Sequence, residues 1–234
     1  MQKVQPIYEG KAKILYTTQD PDLLIQYFKD DATAFNAAKK GTIREKGIMN
    51  NRIAAKIFEY LAGCGIPTHF ERLLSDREML VKKVSIVPLE VIVRNRAAGT
   101  LCRLLGLAEG TTLACPTLEF CYKNDALGDP LVNEYHIRAL GLATDEEMTK
   151  ISAMALSING HLQAFFKKLN IELIDFKLEF GRCKGDIILA DEISPDTCRL
   201  WELGTGEKLD KDRFRRDLGN IEEAYQEVLR RVSA

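Results

Sequence analysis

Residues 171–191, IELIDFKLEFGRCKGDIILAD, decide how the rest of the chain is read. Two apolar, β-prone runs at 171–180 and 185–191 flank a Gly-Arg-Cys-Lys-Gly turn, which predicts an antiparallel hairpin. A strand sends alternate side chains to opposite faces, so Asp175, Lys177 and Glu179 share one face while Phe176, Leu178 and Phe180 share the other. Turning three ionisable groups into an apolar core is costly, so their face meets water or a ligand. With the hairpin in register, the Asp191 carboxylate approaches Glu179. Neighbouring carboxylates repel, and a hard cation such as Mg²⁺ relieves that repulsion while bridging nucleotide phosphates. A solvated edge strand laced with ion pairs is the alternative reading of the same pattern.

Outward from this hairpin, residues 145–169 carry Met148, Ile151, Ala155, Ile158, Leu162, Phe165 and Leu169 at intervals of three or four. That spacing predicts an amphipathic helix, opened by a Thr144/Glu147 capping box. Residues 220–232 predict another helix with an acidic start, and a stripe from Ile48 to Leu61 a third, stopped by Gly63 and Gly65. A short helix is expected over 97–107. Runs 13–17 and 23–28 read as a hairpin around Asp20-Pro21-Asp22, and EFCYK (119–123) as a strand. Within 79–94 two strands are expected, parted near residues 85–88 because Pro88 cannot donate to a ladder. Alternation there sends one of Lys82 and Lys83 toward a cleft. The sum is an α+β fold, with a smaller β-rich N-terminal lobe over 1–90 and a larger mixed α/β lobe over 91–234. A cleft between two such lobes is the default ligand site.

Composition sets the outer bounds. An apolar share of 46% and a charged share of 29% over 234 residues exclude a disordered chain and a small disulfide scaffold. With 33 basic against 34 acidic residues, no charge excess advertises nucleic acid or an anionic membrane. Six cysteines without a C-x-x-C pair read as reduced structural thiols of a cytoplasmic protein. The opening MQKVQPIYEGKAK lacks an apolar core of signal length, and no run reaches transmembrane length, so a soluble protein is expected.

Three further clusters suit anions. Tyr8 to Lys13 (YEGKAK) joins a flexible glycine to the cations Lys11 and Lys13, apt for wrapping a polyphosphate, although it is no Walker A motif. Arg94-Asn95-Arg96 followed by Gly99-Thr100 offers a rigid donor fork beside a helix start. Ser194 to Trp201 carries Arg199, which either holds a second anion or pairs with Glu192. Lys123-Asn124-Asp125 is a weaker loop of the same kind, and DRFRRD (212–217) reads as a solvated basic helix start.

The stretches YEGKAK (8–13), KGIMNNRI (46–53), LVKKV (80–84), VPLEVIVRNRAAGT (87–100), KNDALGDPLVNE (123–134), DFKLEFG (175–181), ADEISPDTCRLW (190–201) and DKDRFRRDLG (210–219) together resemble the SAICAR synthetase family, over nearly the whole chain. The resemblance implies a two-lobed α+β fold, ATP-grasp-like, with a kinase-like N-terminal lobe covering ATP. It also implies an ATP- and Mg²⁺-dependent ligase of purine biosynthesis. Such an enzyme joins L-aspartate to the carboxylate of 5-amino-1-(5-phospho-D-ribosyl)imidazole-4-carboxylate through an acyl phosphate, releasing ADP and phosphate.

On that resemblance Lys11, Ala12, Lys13, Lys82 and Lys123 bind ATP, with Glu179 and Asp191 on the nucleotide and its Mg²⁺. Asn36, Arg94, Thr100 and Arg199 bind the ribotide, and Asp175 and Lys177 are catalytic. Thr100 stands where many members have serine and keeps the hydroxyl; Asn36 stands where some carry Asp and is given a binding role only. The resemblance suggests a homodimer. Two other classes accommodate the same residues: a small-molecule kinase that stops at phosphoryl transfer, and a non-catalytic nucleotide-binding module.

Overall fold

Residues 1–34 and 39–234 are described by a computed structural model of the chain. The order opens with β1 (Pro6–Glu9), β2 (Lys13–Thr17), β3 (Leu23–Phe28), a short hairpin of β4 (Asp31–Ala34) and β5 (Lys39–Thr42), and α1 (Lys46–Gly63). It continues through β6 (Phe70–Ser75), β7 (Glu78–Lys82), β8 (Ser85–Arg96), α2 (Thr100–Leu105), β9 (Thr112–Tyr122), β10 (Leu131–Val132) and α3 (Glu134–Ala139). It closes with α4 (Asp145–Lys168), β11 (Ile171–Cys183), β12 (Asp186–Ala190), β13 (Cys198–Glu202), α5 (Asp212–Arg215) and α6 (Ile221–Val232). This is an α+β fold.

One antiparallel sheet runs β1-β2-β3-β7-β6; the other runs β10-β9-β8-β11-β12, with β13 also paired to β11. Helix α1 packs against the first sheet and against α6, and α4 covers β11 and β8 of the second. Ile53, Phe58 and Leu61 of α1, Val91 and Val93 of β8, and Ile158 and Leu162 of α4 belong to one continuous apolar core. The capping box forms as expected, with Thr144 Oγ1 accepting from the Glu147 N–H at 3.2 Å and Glu147 Oε2 accepting from the Thr144 N–H at 2.9 Å. Phe166 rather than Phe165 is the fully buried ring of α4, and Phe165 is half-buried with its ring centroid 4.7 Å from that of Tyr60 on α1.

The deciding hairpin is tighter than its sequence suggested. The strands stay paired to Cys183 and Asp186, leaving only Lys184 and Gly185 as the turn. Both have positive φ, 50° and 92°, as tight hairpin turns that match strand twist require. Phe176, Leu178 and Phe180 lie in the core, each burial contributing roughly 1.5–3 kcal/mol.

Two boundaries differ from expectation. The break in the 79–94 run falls at Lys83 and Val84, and Pro88 sits inside β8. The β8–β11 register slips between Glu179 and Gly181, so the residue that lacks an N–H coincides with an irregularity where none is needed. Strand β9 starts earlier than the EFCYK segment and includes Pro116; β10 pairs only with Phe120 and Cys121, so Pro116 occupies an unpaired edge.

A staple joins the sheets. Thr68 bridges Leu189 in parallel, the His69 N–H donates to Leu189 O at 2.8 Å, and the Leu189 N–H donates to Pro67 O at 2.9 Å. The end of β12 is thereby drawn against the first sheet. Asp191, just beyond it, adopts a left-handed backbone with φ 64°, a conformation that tends to be held at functional positions. Among the described residues no helix is long and apolar enough to cross a membrane.

Candidate active site

Two cavities open where the sheets meet. The first, about 520 Å³, has apolar walls from Leu15, Leu24, Val81, Val84 and Ile86, and an ionic lining that includes Lys11, Lys13, Lys123, Lys177, Glu179 and Asp191. Ala12 and Lys82 line it too. The second, about 350 Å³, is walled by Arg94, Thr100, Asp175, Arg199 and Arg215. Six residues line both: Lys11, Glu90, Lys177, Asp196, Thr197 and Lys211. The cavities therefore share a wall.

In the first cavity, β2 aims Lys13 at Asp191, with which it forms a close ion pair, and at Glu192 at 3.0 Å. Lys177 of β11 donates to Glu90 and Glu179 at 2.8 Å each, and Lys123 reaches the same Glu179 oxygen at 2.8 Å. Lys11 pairs with Asp125 at 2.7 Å. Lys82 donates to Thr68 O at 3.2 Å and lies 3.4 Å from Glu71. Burial works against the Lys13 ammonium, but Asp191 and Glu192 outweigh it and raise its pKa. Asp191 mirrors this: burial opposes its charge, yet Lys13, Lys177 and Lys123 hold it well below the usual carboxylate range. Lys177 is likewise raised by Glu179, Asp191 and Glu90 against its own burial. His69 is pushed down to about 4, mainly by burial, and is a neutral ring.

The second cavity is an arginine cage. Arg94 donates to Asp175 Oδ2 at 2.5 Å, to both oxygens of Glu119 at 2.7 and 3.1 Å, and to Thr100 Oγ1 at 3.0 Å. Arg199 donates to Asp175 Oδ2 at 2.8 Å and to Asp212 at 3.0 Å. Gly99, with φ 58°, lies flat against Arg199; a Cβ there would stand 2.7 Å from its Nη2. Only glycine leaves room for the guanidinium at that spot.

Two expectations are corrected here, the partner of Arg199 and the exposure of residues 212–217. Arg199 pairs with Asp175 and Asp212; Glu192 instead takes Lys13 and the Ser194 hydroxyl at 2.7 Å. Asp175 and Lys177, the two residues expected to be catalytic, both line the second cavity, Asp175 paired with Arg94 and Arg199 and Lys177 with Glu90 and Glu179. The 212–217 segment is no solvated basic face: Asp212 and Arg213 are buried, and Arg215 reaches the second cavity. Asn36 lies outside the described residues. Glu90, Glu119, Asp196 and Lys211 escaped sequence reading. Of these Glu90 carried a signal, since strand alternation puts Glu90, Ile92 and Arg94 on one face.

Glu179 and Asp191 suit a Mg²⁺ ion by their chemistry. Both offer only oxygen donors, Glu179 pairs across the hairpin with Ala190 beside Asp191, and both line one cavity. Mg²⁺ commonly takes one or two carboxylates and completes its shell with phosphates and water. Among the described residues no group of three or more potential ligands forms a dedicated metal cage.

Asp210, behind Arg199, accepts from the Leu200 and Asp212 N–H groups at 2.8 and 2.7 Å, yet burial and the Asp212 charge push it up to about 7. A carboxyl raised in the fold stabilises it below the ordinary value of 3.8, and this contribution is lost as pH rises through about 7. Thermal denaturation from about pH 4 to 7 is expected to show a descending component in Tm that Asp210→Asn lacks; identical profiles for the two proteins would refute this.

A family model described as SAICAR synthetase matches residues 6–232. The phosphoribosylaminoimidazole-succinocarboxamide synthase of Clostridium kluyveri is 60% identical over 233 residues, covering 100% of this chain and 99% of its own. The crystal structure of the Ehrlichia chaffeensis protein of the same name superposes with a TM-score of 0.97 at 49% identity, covering 98% of this chain and 99% of that one. A SAICAR synthetase solved in complex with ADP gives a TM-score of 0.95 at 47% identity, covering 98% and 97%. Sequence and fold agree from end to end, and the chain belongs to the SAICAR synthetase family.

Proposed function

We propose that this protein is an ATP-dependent ligase joining the amine of L-aspartate to the carboxylate of 5-amino-1-(5-phospho-D-ribosyl)imidazole-4-carboxylate, with release of ADP and phosphate. The observation that carries this reading is the wall shared by the half-apolar and the arginine-lined cavities. A nucleotide in the first brings its γ-phosphate to that wall, where a carboxylate held in the second can meet it. A relative of this fold was solved with ADP, which supports an adenine nucleotide as the occupant of the first cavity.

A carboxylate oxygen does not leave unaided, so activation comes first. The substrate carboxylate attacks the γ-phosphorus, the bond to the bridging oxygen breaks, and ADP departs. The aspartate amine then attacks the acyl phosphate and inorganic phosphate leaves. In this reading Leu15, Leu24 and Val81 face the base, while Lys11, Lys13 and Lys123, with the Ala12 backbone between the first two, face the phosphates. Lys82 lies at the nucleotide's edge. Lys177, on the shared wall, offsets charge as it moves to the bridge oxygen. Glu179 and Asp191 would hold Mg²⁺, which when bound neutralises phosphate charge. Arg94, Thr100 and Arg199 seat the ribotide, with Asn36 assigned to the same substrate by resemblance, and Asp175 keeps the two arginines aimed. A two-lobed, ATP-grasp-like, homodimeric cytoplasmic enzyme belongs to this reading on family resemblance alone.

Purified protein given ATP, Mg²⁺, the imidazole ribotide and L-aspartate is expected to yield the succinocarboxamide by mass spectrometry. ADP release that proceeds without aspartate and gives no amide would identify a kinase instead.

A further inference from the structure

One buried charge cluster at the shared wall has no place in the scheme above. Asp196, with 4% side-chain exposure, accepts from Lys46 Nζ at 2.7 Å on Oδ2 and from the Tyr225 hydroxyl at 2.6 Å on Oδ1. Lys46 comes from the start of α1 and Tyr225 from α6, and both are fully buried. A carboxylate gripped by two strong donors is a fixed charge, ill suited to taking up protons. Lys46 and Lys211 hold Asp196 far below the ordinary carboxylate range in spite of its burial.

What this fixed charge faces is Lys211. Its backbone is set at the entrance to α5, the N–H donating to Pro195 O at 3.2 Å and the carbonyl accepting from the Arg215 N–H at 3.0 Å. Its ammonium stands 3.7 Å from Asp196 Oδ2, beyond hydrogen-bond distance, while Lys46 donates to that same oxygen at 2.7 Å. The other two lysines of the shared wall are closely paired, Lys11 at 2.7 Å and Lys177 at 2.8 Å. Among the described residues, Lys211 is the shared-wall cation whose carboxylate partner lies beyond hydrogen-bond reach. Its side chain is mostly buried and it lines both cavities.

We propose that Lys211 is a further substrate-contacting cation, donating to the anionic oxygen that spans the two cavities during phosphoryl transfer, and that Asp196, clamped by Lys46 and Tyr225, positions it. The inference rests on the ligase reading for the identity of that anion, a carboxylate or the phosphoryl group passing to it. Removing Lys211 strands no partner, since Asp196 keeps Lys46 and Tyr225, so the fold tolerates the change. Activity does not, since a buried charge contact to substrate is lost.

Lys211→Met is expected to lower kcat/KM roughly 30-fold or more with Tm within a few degrees of the parent. Lys211→Arg is expected to recover part of that loss. Tyr225→Phe, which removes one hydroxyl, is expected to lower kcat about fivefold in the parent, with KM for ATP unchanged. In the Lys211→Met background it is expected to do nothing further, because its effect on catalysis passes through Lys211. Lys211→Met within threefold of the parent overturns the proposal, as does an equal effect of Tyr225→Phe in both backgrounds. If Lys211→Met does not fold, Tyr225→Phe decides alone: turnover within twofold of the parent overturns it. Should the parent form no amide, the ligase reading falls; titration calorimetry with the imidazole ribotide then judges Lys211, and an unchanged Kd in Lys211→Met removes it.

Discussion

Glu179→Gln is expected to lower kcat by roughly 10²–10³-fold and to raise the Mg²⁺ concentration needed for half-maximal rate. Glu179 is buried, and one of its oxygens takes both Lys123 and Lys177 at 2.8 Å. Glutamine keeps the shape, but it removes the charge that opposes two ammonium groups and that would attract a divalent cation. The fold loses less than the chemistry, because Lys177 retains Glu90 at 2.8 Å and Asp191 lies nearby. Steady-state kinetics across a Mg²⁺ series, alongside a melting curve, check both halves. Parent-like turnover at saturating Mg²⁺-ATP would remove Glu179 from the role.

Arg94→Ala is expected to act on the fold itself, at about 3–5 kcal/mol. The guanidinium is 3% exposed on a central strand and satisfies Asp175, Glu119 and Thr100 together. Its loss leaves Glu119 without that partner and Asp175 with Arg199 alone. For a chain of this size the corresponding drop in Tm is on the order of 10 °C. Combining Arg94→Met with Asp175→Asn and Glu119→Gln removes the stranded charges and is expected to recover most of the melting temperature but none of the activity. Recovery of activity along with stability would show that the cage serves folding only.

The contrast between these residues explains what could be read in advance. The polar face of β11 was legible because strand alternation is local: Asp175, Lys177 and Glu179 are two apart, and their apolar neighbours declare the other face. The 145–168 helix was legible for the same reason, its stripe and cap lying within one segment. What stayed hidden depends on which strands pair. Nothing near Glu90 says that β8 lies beside β11 with Glu90 opposite Glu179, so its contact with Lys177 required the register. Asp196 is more hidden still, with Lys46 150 residues away and Tyr225 on a different helix. Pro88 misled because the rule against proline in ladders holds for regular pairing, and β8 is irregular there.

The hydroxyl of Tyr225 also makes the wall between the cavities depend on the docking of α6. Helix α6 contributes Ala224, Tyr225, Val228 and Val232 to the common core and packs along α1, which leaves the ribosome far earlier. A nascent chain that has emerged only as far as α5 carries nearly every group of the two cavities, yet it exposes the apolar flank of α1 and leaves Asp196 short of a donor. A chain cut before α6 therefore carries an uncovered apolar surface that chaperones and proteases can recognise.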